Sequence, residues 1–220
     1  MDESVMIMDR SSIDEAKARG NIYSLISRFF MKEVDKQFLD ILKKRESIDA
    51  LRDHGFTFLE DLLSRRERDL IDELAVEFAS LFLISPGRLL SPYESVQAGK
   101  EGQLGGEAAS KTLFFYKKAG FTIPEGISLL PDHFAIELEF MGHLCEREAA
   151  ALEGNDEHTA RPEKELQKDF LKSHIGRWYR PFLSSVEAAA LHPFYRESSS
   201  FAREFLDSET EYLASASASA

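Results

Sequence analysis

The sequence predicts an all-α fold of about seven to nine helices packed on one another, and three observations predict it. Apolar residues recur at helical spacing in one segment after another. No segment alternates apolar and polar residues in the manner of a half-buried strand. Glycine, proline and polar clusters interrupt the chain at helix-length intervals. With 220 residues, 43% of them hydrophobic and 17 of them Phe, the chain can bury one large core.

The elements follow in order. Ser12 and Glu15 form a capping box ahead of a helix whose apolar face is Ile22, Leu25, Ile26 and Phe29. A second helix is expected from Asp35 to about Arg52, with Phe38, Leu39, Ile41 and Leu42 on its apolar side and His54-Gly55 at its end. A short helix around Phe58 to Leu63 precedes a second capping box, Ser64 and Glu67. The stripe Leu70, Leu74, Phe78, Leu81 and Phe82 then marks a longer helix. The segment from Ser85 to Gly106 holds two prolines and five glycines and reads as a long loop of the kind that often carries function. Helix resumes at "EAASKTLFFYKKAG" and stops at Gly120. A helix from Pro131 to about Leu152 follows, then three more, with breaks near 176–181 and at His192-Pro193. One domain over residues 1–213 is expected, with sub-halves of about 1–120 and 131–213 joined by a hinge at 120–130. A low-complexity tail, 214–220, closes the chain.

Charge and composition narrow the function. The net charge of −12 disfavours a nucleic-acid surface, which needs a basic face, and suits a basic peptide partner. The single cysteine, Cys145, rules out a disulfide framework and a Cys-rich metal cluster. The acidic N-terminal stretch has no apolar run of the secretory type, and no apolar run is long enough to span a bilayer; a soluble cytoplasmic protein is expected.

The stretch "LLPDHFAIELEFMGHLCE" concentrates the chemistry. His133 with Glu137, and Glu139 with His143, are each four residues apart, so each pair shares a helical face. The two pairs point about 120° apart, so one helix cannot aim both at one ion. The chain contains neither a Glu-x-x-His nor a His-Glu-x-x-His motif. Cys145 on the same helix reads as a small apolar filler. A helical-bundle metal protein or enzyme using His133, Glu137, His143 and Cys145 is the rival reading, and a helical regulator acting through protein contacts is a third. Pro131 suits the first turn of a helix, and Asp132 suits the positive end of the helix dipole. Glycines Gly102, Gly105 and Gly106 form no phosphate-binding loop, and Arg65-Arg66, with acidic residues beside it and no apolar run after it, is a solvated helix start.

Four features in order carry a family resemblance: Phe78-Ala79-Ser80-Leu81-Phe82, Pro92-Tyr93-Glu94-Ser95, Asp132-His133, and His174 with Trp178. Over about residues 65 to 206 the chain resembles the TorD/DmsD family of cytoplasmic redox-enzyme maturation chaperones, related to NarJ. It departs from the family at Leu129 and Leu130, where members often carry a glutamate. The resemblance implies an all-helical chaperone that binds the twin-arginine signal peptide of a molybdenum-cofactor oxidoreductase, assists cofactor insertion and delays export until folding is complete. It implies no catalysis, and no metal or cofactor is expected. Some relatives exchange domains, so the chain is expected as a monomer or a domain-swapped dimer, exchanging at the 120–130 hinge. A twin-arginine peptide has a basic start and an apolar segment, so its receptor needs an apolar groove with acids at the rim. The resemblance assigns Phe82, Leu89, Leu90 and Tyr93 to the groove, Asp132 and His133 to the hinge beside it, and Glu94 to a peptide arginine. Trp178, and Phe82 in part, fit core packing as well.

Overall fold

In the computed structural model, residues 3–84, 90–99, 102–154 and 156–215 are described, and among them the fold is helix on helix without a strand. In chain order the helices are α1 (Glu3–Met31), α2 (Lys36–Leu42), α3 (Arg45–Asp53), α4 (Leu59–Ser64), α5 (Glu67–Phe78), α6 (Glu94–Gln97), α7 (Gly106–Ala119), α8 (Phe134–Glu153), α9 (Glu157–Ser173), α10 (Tyr179–Ala189) and α11 (Pro193–Ser215). A π-helical turn, Ala79–Leu83, extends α5, and a 3₁₀ turn, Ile175–Arg177, links α9 to α10.

The longest seam runs between α1 and α8. Two glycines let these helices approach: a Cβ on Gly142 would lie 3.2 Å from Ser24 Oγ, and one on Gly20 would lie 3.3 Å from Cys145 Cβ. Cys145 is therefore the small residue this crossing needs, buried opposite Gly20. The core is contiguous across residues 120–130. Phe30 on α1 packs edge-on against Phe134 on α8 at 5.2 Å, and Phe29 against Phe194 on α11 at 5.5 Å.

Several element boundaries differ from the sequence expectation, each for a local reason. The expected helix from Asp35 to Arg52 is two helices, broken at Lys43 and Lys44. Leu42 and Leu51 are both buried, yet nine residues on one straight helix would set them about 180° apart. The break restores both to the core. Asp35, the expected start of this helix, is its N-cap, accepting from Phe38 N at 2.9 Å. The Ser12–Glu15 box lies inside α1, because nothing in residues 3–11 breaks a helix. Ser64 is not the cap of α5: its hydroxyl donates back to Glu60 O at 2.6 Å and closes α4. The Pro131 helix begins later, at Phe134, with His133 as its cap. Residues 131–132 are held off the helical path because His133 forms an antiparallel bridge with Tyr93. The break at His192-Pro193 falls where the sequence puts it; the one expected near 176–181 comes slightly earlier, at His174–Trp178, with Pro181 inside α10. The end of the tail, 216–220, lies outside the described residues.

Candidate functional site

The bridge between Tyr93 and His133 ties the end of the long loop to the start of α8. Phe134 N donates to Pro92 O at 2.8 Å, and Glu94 N donates to Asp132 O at 2.9 Å. Asp132 then reaches over with its side chain: Oδ2 accepts from Ser95 N at 2.9 Å, at the start of α6. Its other oxygen, Oδ1, is buried without a partner. The role inferred from sequence, an acid in the first turn of its own helix, is thus replaced by a cap on a different one.

His133 Nδ1 accepts from Ala135 N at 3.1 Å, which makes the ring an N-cap and puts the Nδ1 lone pair toward the helix. Burial pushes the imidazole pKa down to about 3, so the ring is neutral. Tyr93 stacks edge-on against it at 4.8 Å. Tyr116, on α7, fixes the approach to this corner by donating to Pro131 O at 2.7 Å.

Beneath this corner lies an acidic cluster drawn from three elements. Glu94 is fully buried; its Oε1 accepts from Arg177 Nη1 at 2.8 Å and its Oε2 lies 2.7 Å from His174 Nδ1. His174 Nδ1 also lies 3.1 Å from Thr112 Oγ1, and Thr112 donates that hydroxyl to Ala108 O. Glu137, one turn into α8, is fully buried as well; Trp178 Nε1 donates to its Oε2 at 3.3 Å, and Oε1 has no partner. Burial raises the Glu137 pKa well above the usual carboxylate range, and the neighbouring Glu94 and Asp132 charges push it the same way.

The turn after α9 makes this convergence possible. His174 and Trp178 are four residues apart, yet they serve different carboxylates, because the 3₁₀ turn between them redirects the chain. Gly176 permits that turn: a Cβ there would lie 2.6 Å from Leu171 O. Arg177, half exposed, reaches in from the mouth of a cleft of about 640 Å³ whose lining includes Glu94, Ser95, Leu104 and Lys111.

The sequence-predicted residues fall into three groups. Tyr93, Glu94, Asp132 and His133 come together as expected, although Glu94 is already engaged by Arg177 and His174. Phe82 and Leu90 are partly buried against the core; Phe82 packs on Phe30, Phe78, Phe182 and Tyr195, one aromatic layer from Phe134. Leu89 lies outside the described residues. The rival set does not converge. His143 packs against Phe121, and Cys145 lies against Gln167, while Glu137 joins Glu94 and His174 instead. Burial pushes the Cys145 thiol up to about 12, which leaves it protonated and a poor nucleophile. Arg177 and Thr112 had no sequence signal, whereas Ser95 belongs to the Pro92–Ser95 feature and the His174 and Trp178 spacing was one.

An all-helical chain gathers buried acids from several elements behind a cleft that Glu94 lines, and its relatives narrow the class. Residues 46–184 match the family described as nitrate reductase delta subunit. The chain is 30% identical over 207 residues to the chaperone protein TorD of Vibrio vulnificus, covering 89% of this chain and 94% of the relative. It is 28% identical over 210 residues to TorD of Vibrio cholerae, covering 89% and 91%. A solved structure from Archaeoglobus fulgidus, assigned by name to the redox enzyme maturation proteins, superposes with a TM-score of 0.51 at 24% identity over 86% of this chain and 91% of the other. The chain belongs to the TorD family of chaperones, within the wider nitrate reductase delta subunit family. The named relatives are chaperones rather than catalysts. Among the described residues, no helix is long and apolar enough to cross a membrane.

Proposed function

We propose that this protein is a maturation chaperone that binds the twin-arginine signal peptide of a molybdoenzyme precursor, holds the precursor back from export and assists insertion of its cofactor. Kinship with the TorD chaperones over nine-tenths of the chain carries the reading. The net charge of −12 supports it, because an acidic surface steers a basic peptide towards encounter. The corner formed by Tyr93, Asp132 and His133 supports it too, with Leu90 and Phe82 as the apolar neighbours of an inserted peptide helix. The reading takes Asp132 as the acid that meets the peptide, since one of its oxygens has no partner.

Calorimetric titration with twin-arginine signal peptides of molybdoenzymes tests this. Saturable binding to one of them is expected, weakened by Asp132→Asn and by His133→Ala, with the helical circular dichroism retained. If none of the peptides binds saturably, the proposal fails.

A further inference from the structure

We propose that Glu94, Glu137 and His174 form a binding site for one divalent first-row cation, Zn²⁺ being the probe, buried behind Glu94 at the edge of the cleft beside α6. The proposal is independent of peptide binding. Its first support is geometry. One ligand atom from each residue lies within 4.8 Å of the other two, and all three residues are buried. Glu94 Oε2 and His174 Nδ1 are already 2.7 Å apart. Ligands at about 2.0–2.1 Å from a zinc ion sit roughly 3.3 Å from one another, so small carboxylate rotations close the set around an ion.

The second support is the unpaired oxygens. Glu137 Oε1 is fully buried and has no hydrogen-bond partner, and neither has Asp132 Oδ1 beside it. Buried carboxylate oxygens left bare carry a desolvation cost that a cation removes. Glu94, Glu137 and Asp132 bring three carboxylates to this corner, and among the described residues the guanidinium bonded to the cluster is Arg177.

The surroundings match what a ligand shell needs. Trp178 Nε1 orients Glu137, Arg177 Nη1 orients Glu94, and Thr112 Oγ1 lies against His174. A carboxylate pair with one imidazole suits zinc or manganese better than a soft or an all-oxygen ion. Glu94 lines the cleft, which supplies an entry path and room for water at a remaining coordination position. Adjacent sequence offers no metal motif because the ligands are contributed by residues 94, 137 and 174.

The full-length protein, treated with chelator and dialysed, is titrated with Zn²⁺ against a chromophoric competitor. One equivalent is expected to bind, with affinity reduced at least about tenfold by Glu137→Gln and by His174→Gln, and unchanged by His143→Gln. Two results overturn the proposal: no stoichiometric binding to the wild type, or binding that survives Glu137→Gln and is lost with His143→Gln. Should the cluster variants fail to fold, X-ray absorption of the zinc-loaded wild type decides. A shell with one imidazole and carboxylate oxygens supports the site; a shell without imidazole, or with sulfur, sinks it.

Discussion

Two buried polar networks share helices α8 and α9, and they are built on opposite principles. At one end Arg19 on α1 donates to Glu209 Oε1 at 2.8 Å, to Glu209 Oε2 at 2.7 Å, to Glu148 Oε2 at 3.2 Å and to Gln167 Oε1 at 2.6 Å. Tyr23 adds a hydrogen bond to Glu209 at 2.9 Å, and Lys164 stands 3.8 Å from Glu148. Two cations face two carboxylates, and no polar side-chain atom of Arg19, Glu148, Gln167 or Glu209 is buried without a partner. At the other end Glu94, Glu137 and Asp132 crowd together with two oxygens unpaired. A complete network fixes helix positions; an incomplete one beside a cleft leaves capacity for a ligand. The first network therefore reads as scaffold and the second as site.

The largest expected effect breaks the scaffold network. Arg19→Met strands Glu148 and Glu209 in the interior, and removing one partner of such a buried group costs about 3–5 kcal/mol. For a chain of this size the melting temperature should fall by roughly 6–20 °C. Restoring apolar complementarity with Glu148→Leu and Glu209→Leu in the same chain should recover much of the loss. Thermal denaturation monitored at 222 nm measures all three. A loss below about 1 kcal/mol would mean that the Glu209 and Glu148 carboxylates reach water without Arg19, and the scaffold reading would fail.

The next effect is a pH dependence located at the site corner. The neutral His133 ring, with its pKa lowered to about 3 by burial, binds fewer protons in the folded state than in the unfolded chain. Its contribution is intact above about pH 6.5, the unfolded value, and is lost as pH falls towards 3. Between pH 6.5 and 5 the loss should approach roughly 2 kcal/mol. His133→Asn keeps an oxygen that can accept from Ala135 N, so the variant should match the wild type near pH 7 and show a flatter acid limb. Urea unfolding at half-unit pH steps gives the slope. Equal slopes in the two proteins would show that His133 is not the group responsible.

What the sequence made legible divides along the same line. Local signals were readable: the apolar stripes of α1 and α5, the helix start at Asp35, and the breaks near Gly176 and Pro193. The split between α2 and α3 was missed: run length suggested one helix, and the opposed phase of Leu42 and Leu51 was the signal against it. The Asp132–His133 pair could be placed at a helix start, but not the strand-like bridge to Tyr93, which pairs residues 40 positions apart. The acidic cluster was hidden for the same reason. Glu94 and Glu137 were each noted separately, and only the bridge that ties the start of α6 to the start of α8, with the turn after α9, makes them neighbours. Capping boxes misled at Ser12 and Ser64, since a capping pattern inside or at the end of a helix costs the helix little.

The smallest effect separates the two roles that meet in Asp132. Its Oδ2 holds Ser95 N, a contact of the capping kind worth about 1 kcal/mol. Its Oδ1 is buried without a hydrogen-bond partner. Asp132→Asn retains an acceptor for Ser95 and removes the charge, whereas Asp132→Ala removes both. If Asp132 serves only to join α6 to α8, the Asn variant behaves as wild type in both melting and peptide titration, and only the Ala variant loses stability. If the carboxylate also meets the peptide's arginines, the Asn variant keeps its melting temperature within a degree or two while peptide affinity falls by about tenfold, the scale of one charge-assisted hydrogen bond. The stability readout belongs to the scaffold, and the affinity readout belongs to the site. Asp132 tests whether one residue can serve both, because its two oxygens are already divided between them.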